Sequence, residues 1–171
     1  MSEDIKSRVF SLLNKANIVL TETEAGQLEI TDMGLGQIEV EGLQLVTYIN
    51  NESYCAKELI LLPNQTCPEH LHPPIGEKPG KKETFRCRMG TVYLYVEGEE
   101  TASPSTSPPK GKEKYYTAKK EITLNPGEQF TILPGVKHWF KAGEEGAIVS
   151  EFSTTSRDEY DIFTDPSIKR V

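Results

Sequence analysis

From Gln37 to Phe152 the apolar residues recur at every second position in short runs broken by Gly, Pro and Asn, a rhythm that leaves few architectures open. The runs are Gln37–Glu41, Leu43–Ile49, Lys57–Leu62, Thr84–Met89, Thr91–Val96, Glu121–Leu124, Gln129–Leu133, His138–Lys141 and Ala147–Phe152. So many short strands at close spacing predict an antiparallel sandwich or barrel. The rhythm is different at the start. Ile5, Val9, Leu12, Leu13 and Ala16 fall at helical spacing, which predicts one amphipathic helix over about residues 3–17, with Ser2 as its N-cap and Glu3 and Asp4 at its positive end.

A chain of 171 residues suits one domain with one core, here 1–171. Residues 98–114, rich in Pro, Ser and charge, read as an exposed hairpin loop, because a linker there would leave two pieces too small for good cores. Pro73 to Lys82, with three prolines and two glycines, is a second loop. Nineteen Lys and Arg against 26 Asp and Glu give a formal charge of −7, which argues against nucleic acid or an anionic membrane as partner. No leader or membrane-spanning run is evident, so a cytoplasmic protein is expected. Cys55, Cys67 and Cys87 form no Cys-x-x-Cys pair and read as small buried hydrophobes.

Chemistry concentrates in the three histidines. His70 and His72 stand two apart, so on a strand both imidazoles face one way, and His138 follows the Pro134-Gly135 turn. Imidazole is the commonest metal ligand, although a His-x-His pair on an exposed strand face is an equally good reading of those two residues alone. Glu83, followed after six residues by Gly90, and Gly127, Pro134, Gly135 and His138 complete a pattern that resembles the two motifs of the cupin family. The ten residues between His72 and Glu83 make a longer spacer than that pattern has, and a loop at a barrel mouth absorbs such length cheaply. The resemblance implies an all-β cupin-type barrel or jelly roll in which His70, His72, Glu83 and His138 hold one metal. Such a set around Mn²⁺ would leave two coordination positions for substrate oxygens, with Zn²⁺, Fe²⁺ and Co²⁺ as other candidate ions.

Two further charges bear on the reaction. Lys81, two before Glu83, shares its side on an extended backbone, and is either one of a solvated lysine cluster or a cation for a developing oxyanion. Glu151 interrupts the apolar run Ile148-Val149-Ser150-Glu151-Phe152, where a carboxylate must be paired, near a metal or facing out. The Lys81-Lys82-Glu83 motif and the acidic, aromatic tail after Glu151 are similar to those of the D-lyxose isomerase family. That likeness implies an aldose–ketose isomerase converting D-lyxose to D-xylulose, and D-mannose to D-fructose, by proton transfer through a metal-held cis-enediol. Glu151 would be the base and Lys81 the charge partner or hydroxyl-proton shuttle, with Asp158 and Asp161 either binding distal hydroxyls or solvated in the tail; a homodimer is the family expectation.

Two other classes compete at this level. One is a cupin dioxygenase using Fe(II), which has no need of a flanking lysine and glutamate. The other is a non-catalytic sugar-binding cupin. Isomerisation of a sugar phosphate is a further variant, kept open by the basic stretch Lys110 to Lys120.

Overall fold

The computed structural model describes residues 2–169. Helix α1 (Ser2–Lys15) opens the chain, with Glu3 and Asp4 in its first turn and Lys15 in its last, each opposing the helix dipole. The capping role expected of Ser2 concerns a side chain outside the described residues. A short α2 (Glu22–Gly26) follows, held by a capping box in which Thr21 and Glu24 bond each other's backbone N–H. The rest is strand: β1 (Glu29–Thr31), β2 (Leu43–Asn50), β3 (Cys55–Leu61), β4 (Thr66–Leu71), β5 (Glu83–Val96), β6 (Lys120–Leu124), β7 (Gln129–Ile132), β8 (His138–Ser153) and β9 (Ile162–Phe163).

All nine strands join one curled antiparallel sheet in the order β1-β2-β3-β8-β4-β9, with β5 pairing β6, β7 and β8. Alternation along each strand sorts its side chains. Leu59 and Leu61 of β3, Val149 of β8 and Phe85 of β5 face the interior of the half-barrel with Phe140, Leu94 and Val92. Ile60 and Ile148 face outward, where Ile5, Val9 and Leu13 of α1 cover them. Among the described residues no helix is long and apolar enough to cross a membrane.

The spine is the ribbon of β5 and β8, paired from Glu83↔Ser153 to Val96↔His138. Four of the expected strands merge here into two, because the chain turns a corner at Gly90 without leaving the ladder. Gly90 has φ of +71°, and a Cβ on it would meet Gly146 O at 2.0 Å, so this crossing admits only glycine. Gln37–Glu41, expected as a strand, is instead a turn in which Val40 N donates to Gln37 O at 2.8 Å, with Glu41 alone bridging to Thr66. Its alternation serves packing: Ile38 reaches the cluster beneath α1. Strand β4 went unpredicted because Pro68 interrupts it, and its register slips between Cys67 and His70.

Residues 98–114 join the paired strands β5 and β6, so they form a hairpin connection. Much of the segment is exposed, yet it is pinned to the sheet: Tyr95 Oη donates to Thr106 O at 3.0 Å, and Ser105 N and Oγ each donate to Glu121 at 2.6 Å. Lys112 crosses to the C-terminal tail, where its ammonium lies 2.5 Å from Asp165. The three cysteines are buried and form no disulfide.

Candidate active site

The three imidazoles meet at one end of the half-barrel. His70 and His138 are register partners on β4 and β8, and His72 lies one residue beyond β4. Backbone carbonyls fix two rings: His70 Nδ1 donates to Pro68 O at 2.8 Å, and His138 Nδ1 to Val136 O, in the Pro-Gly turn, at 3.0 Å. His72 Nδ1 sits 2.6 Å from Asp161 Oδ1. Acceptors at every Nδ1 leave each Nε2 directed at the centre, the arrangement that orients histidines toward a metal. One ligand atom from each histidine lies within 4.8 Å of the other two.

Glu83 opens β5 and completes the group. Its Oε1 lies 2.9 Å from His138 Nε2 and 3.2 Å from His72 Nε2. His138 Nε2 is buried and has no well-aligned hydrogen-bond partner among the described residues, although Glu83 Oε1 lies 2.9 Å away. Two acceptors facing one another at 2.9 Å call for positive charge between them. The donor set, imidazole nitrogens with one carboxylate oxygen, fits a divalent first-row ion.

Electrostatics agree. Burial holds the His70 pKa well below the ordinary histidine range, aided by the other two imidazoles, so this ring stays neutral. Burial opposes the charged form of His72 as well, but Glu83 and Asp161 outweigh it and push its pKa up to about 9. Glu83 is held well below the usual carboxylate range, since Lys81 and His72 overcome its burial.

Beside this group lies a row of alternating charges. Lys81 Nζ is 2.7 Å from Glu83 Oε2 and 2.9 Å from Glu151 Oε1, and 4.0 Å from Asp158 Oδ1. Burial works against its ammonium, but Glu151, Glu83 and Asp158 keep its pKa well above the ordinary lysine value. Glu151, on the inner face of β8, is 3% exposed, so its break in the apolar run points inward. Asp158 sits in a 3₁₀ turn of the tail (Asp158–Tyr160) and lines the same pocket.

Two residues add to the sequence reading. Asp161, expected to bind a distal hydroxyl, lines the pocket and bonds His72 Nδ1 through Oδ1, and its side chain is buried. Lys57 went unnoticed. It lies on the inner face of β3 opposite Glu151, is 4% exposed, and bonds Asp158 Oδ2 at 2.6 Å. The reasoning applied to Glu151, a charge within an apolar strand, would have found it. Lys57, Lys81, Glu83, Glu151, Asp158 and Asp161 line one pocket with His70 and His72, and the free space at its centre is about 20 Å³, room for an ion or a water. The stretch Lys110 to Lys120 contributes nothing to that lining.

A curled antiparallel half-barrel whose imidazoles converge with a carboxylate at one mouth belongs to the cupin-like class, and L-ribose isomerases are among the solved structures that share the fold. The L-ribose isomerase of Acinetobacter sp. DL28, in complex with L-ribose, superposes with a TM-score of 0.77 over 97% of this chain and 92% of that one at 16% identity. The Cellulomonas parahominis L-ribose isomerase gives 0.75 over 95% and 90%, also at 16%. At that identity the likeness speaks to fold alone.

Sequence narrows it further. A family model described as D-lyxose isomerase matches residues 13–171. The D-lyxose/D-mannose isomerase of Thermosediminibacter oceani is 62% identical over 99% of this chain and 93% of its own length. The D-lyxose ketol-isomerase of Cohnella laeviribosi is likewise 62% identical, over 98% and 92%. The chain belongs to the D-lyxose isomerase family, and it is an enzyme of the aldose–ketose isomerase class.

Proposed function

We propose that the protein interconverts D-lyxose with D-xylulose, and D-mannose with D-fructose, using Mn²⁺ held by His70, His72, Glu83 and His138. The observation that carries this reading is the Lys81 ammonium bridging Glu83 and Glu151 immediately beside the imidazole cluster. A carboxylate and a cation paired beside a cluster able to hold a metal are the groups a 1,2-proton shift uses, which supports the reading. The name of the Thermosediminibacter oceani relative, which pairs D-lyxose with D-mannose, and that of the Cohnella laeviribosi relative, which gives D-lyxose, support the choice of sugars.

A divalent ion supplies a Lewis acid that polarises the sugar carbonyl and acidifies the neighbouring C–H, worth several kcal/mol. Glu151 takes the proton from C2 of the open-chain aldose and returns it to C1, while the hydroxyl proton on O2 passes to O1 so that C2 becomes the carbonyl, a general-base contribution of about 10²–10⁴-fold. Lys81 sets a positive charge against the sugar oxygens as they gain negative charge. Asp158 orients a distal hydroxyl, and Asp161 fixes the His72 ring. The pocket cations Lys57 and Lys81 are both engaged by carboxylates, which favours an unphosphorylated sugar. Family membership sets aside the Fe(II) dioxygenase and the non-catalytic binder. The assembly is a homodimer in this reading, with the exposed Ile49 and Phe152, which flank Ala56 on the outer sheet face, as candidate contacts.

The test is ketose formation from D-lyxose and D-mannose by the Mn²⁺-loaded protein under argon. Glu151→Gln is expected to retain metal and lose turnover by at least about 10²-fold, whereas His138→Ala loses metal and activity together. Near-normal turnover in Glu151→Gln would remove that residue as the base.

A further inference from the structure

We infer that Lys57 is a positioning residue of this site, acting through Asp158 to keep Lys81 on Glu151; the inference rests on the pocket reading above. Lys57 stands directly across the ladder from Glu151, yet its ammonium turns to the tail, bonding Asp158 Oδ2 at 2.6 Å and Ser156 Oγ at 2.9 Å. Ser156 Oγ donates in turn to Asp158 Oδ1.

Anchoring the tail does not require this lysine. Asn50 already holds Ser156 by two bonds, accepting from its N–H and donating to its carbonyl, each at 3.0 Å. What Lys57 adds is a charge on Asp158, whose Oδ1 lies 4.0 Å from Lys81 Nζ. Asp158 thus stands between two ammoniums, bonded to one and just beyond bonding reach of the other. While Lys57 engages it, Lys81 remains shared by Glu83 and Glu151. Without Lys57, the Lys81 ammonium still stands 4.0 Å from Asp158, and closing that gap draws Lys81 off the base. A shift of this order in a reacting constellation lowers turnover by about 10²-fold.

The experiment compares four Mn²⁺-loaded full-length proteins on D-lyxose: wild type, Lys57→Met, Asp158→Asn and the double variant. Lys57→Met is expected to lower kcat by about 10²-fold with bound metal unchanged, and the double variant to turn over no more slowly than Asp158→Asn, since the competing carboxylate charge is gone. Such non-additivity distinguishes positioning from a general structural role, which would give a double variant near the product of the two singles. That product, or a Lys57→Met kcat within about twofold of wild type, overturns the inference. Should Lys57→Met fail to fold with its unbalanced carboxylate, Asp158→Asn and the double variant decide: a further loss of kcat on removing Lys57 overturns it, and no further loss supports it. A wild type that turns over neither D-lyxose nor D-mannose would fail the pocket reading and this inference together, whereas an active wild type with a neutral Lys57→Met fails this inference alone.

Discussion

Loading an ion into the apo protein should expel one proton, and that proton is the one on His72. With its pKa raised to about 9, His72 is charged in almost every apo molecule at pH 7, whereas His70 is neutral and Glu83 already ionised. A ligand must be deprotonated, so binding at pH 7 is weakened by about two pH units' worth of proton competition, roughly 3 kcal/mol or about 100-fold in apparent affinity. The affinity for Mn²⁺ should therefore climb about tenfold per pH unit from pH 7 toward 9 and then flatten. Apo stability runs the other way. A folded-state pKa raised above the ordinary value contributes stability that is fully present below about pH 6.5 and lost as the pH rises through about 9, on the order of 3 kcal/mol in all. Titration calorimetry in buffers of different protonation enthalpy counts the protons directly. Release of none at pH 7, or an affinity flat between pH 7 and 9, would refute the assignment of charge to His72.

Two further perturbations separate site from scaffold. A Cβ on Gly80 would meet His72 O at 2.0 Å, so Gly80→Ala should displace the loop carrying Lys81 and lower both Mn²⁺ content, measured by elemental analysis, and kcat/KM. Leu13→Ala, on the buried face of α1 and 1% exposed, should cost about 2–5 kcal/mol in denaturant unfolding while leaving metal content unchanged, because the helix packs on the face of the sheet opposite the site.

How much of this could be read in the chain differs residue by residue. The barrel was legible because half-buried antiparallel strands alternate strictly, and His70 and His72 as a pair because strand spacing puts both on one face, whereas joining Glu83 and His138 to them rested on the resemblance to the cupin motifs. Glu151 was legible through the cost of burying a charge in an apolar run. Lys57 was not weighed by that rule, since the neighbouring Glu58 makes the pair look like an ordinary solvated edge, although both are buried. The partnership of Asp161 with His72 spans 89 residues and depends on β9 returning to β4, which no local pattern encodes. Strand β4 was hidden by Pro68. The capping box of α2 was present as Thr21-Glu22-Thr23-Glu24, but a helix of five residues is too short to show a period.

The corner at Gly90 has a consequence for how the ion and the fold depend on each other. Fully extended, the 14 residues of β5 would separate Glu83 from Val96, and so from its ladder partner His138, by roughly 40 Å. Yet a carboxylate oxygen of Glu83 lies 2.9 Å from the His138 ring. The ribbon closes on itself like a book, and its two leaves touch at their free margins through the very groups that would grip a cation. An ion bound there works as a clasp across the opening edge, so the protein's resistance to heat and its metal occupancy should rise and fall together.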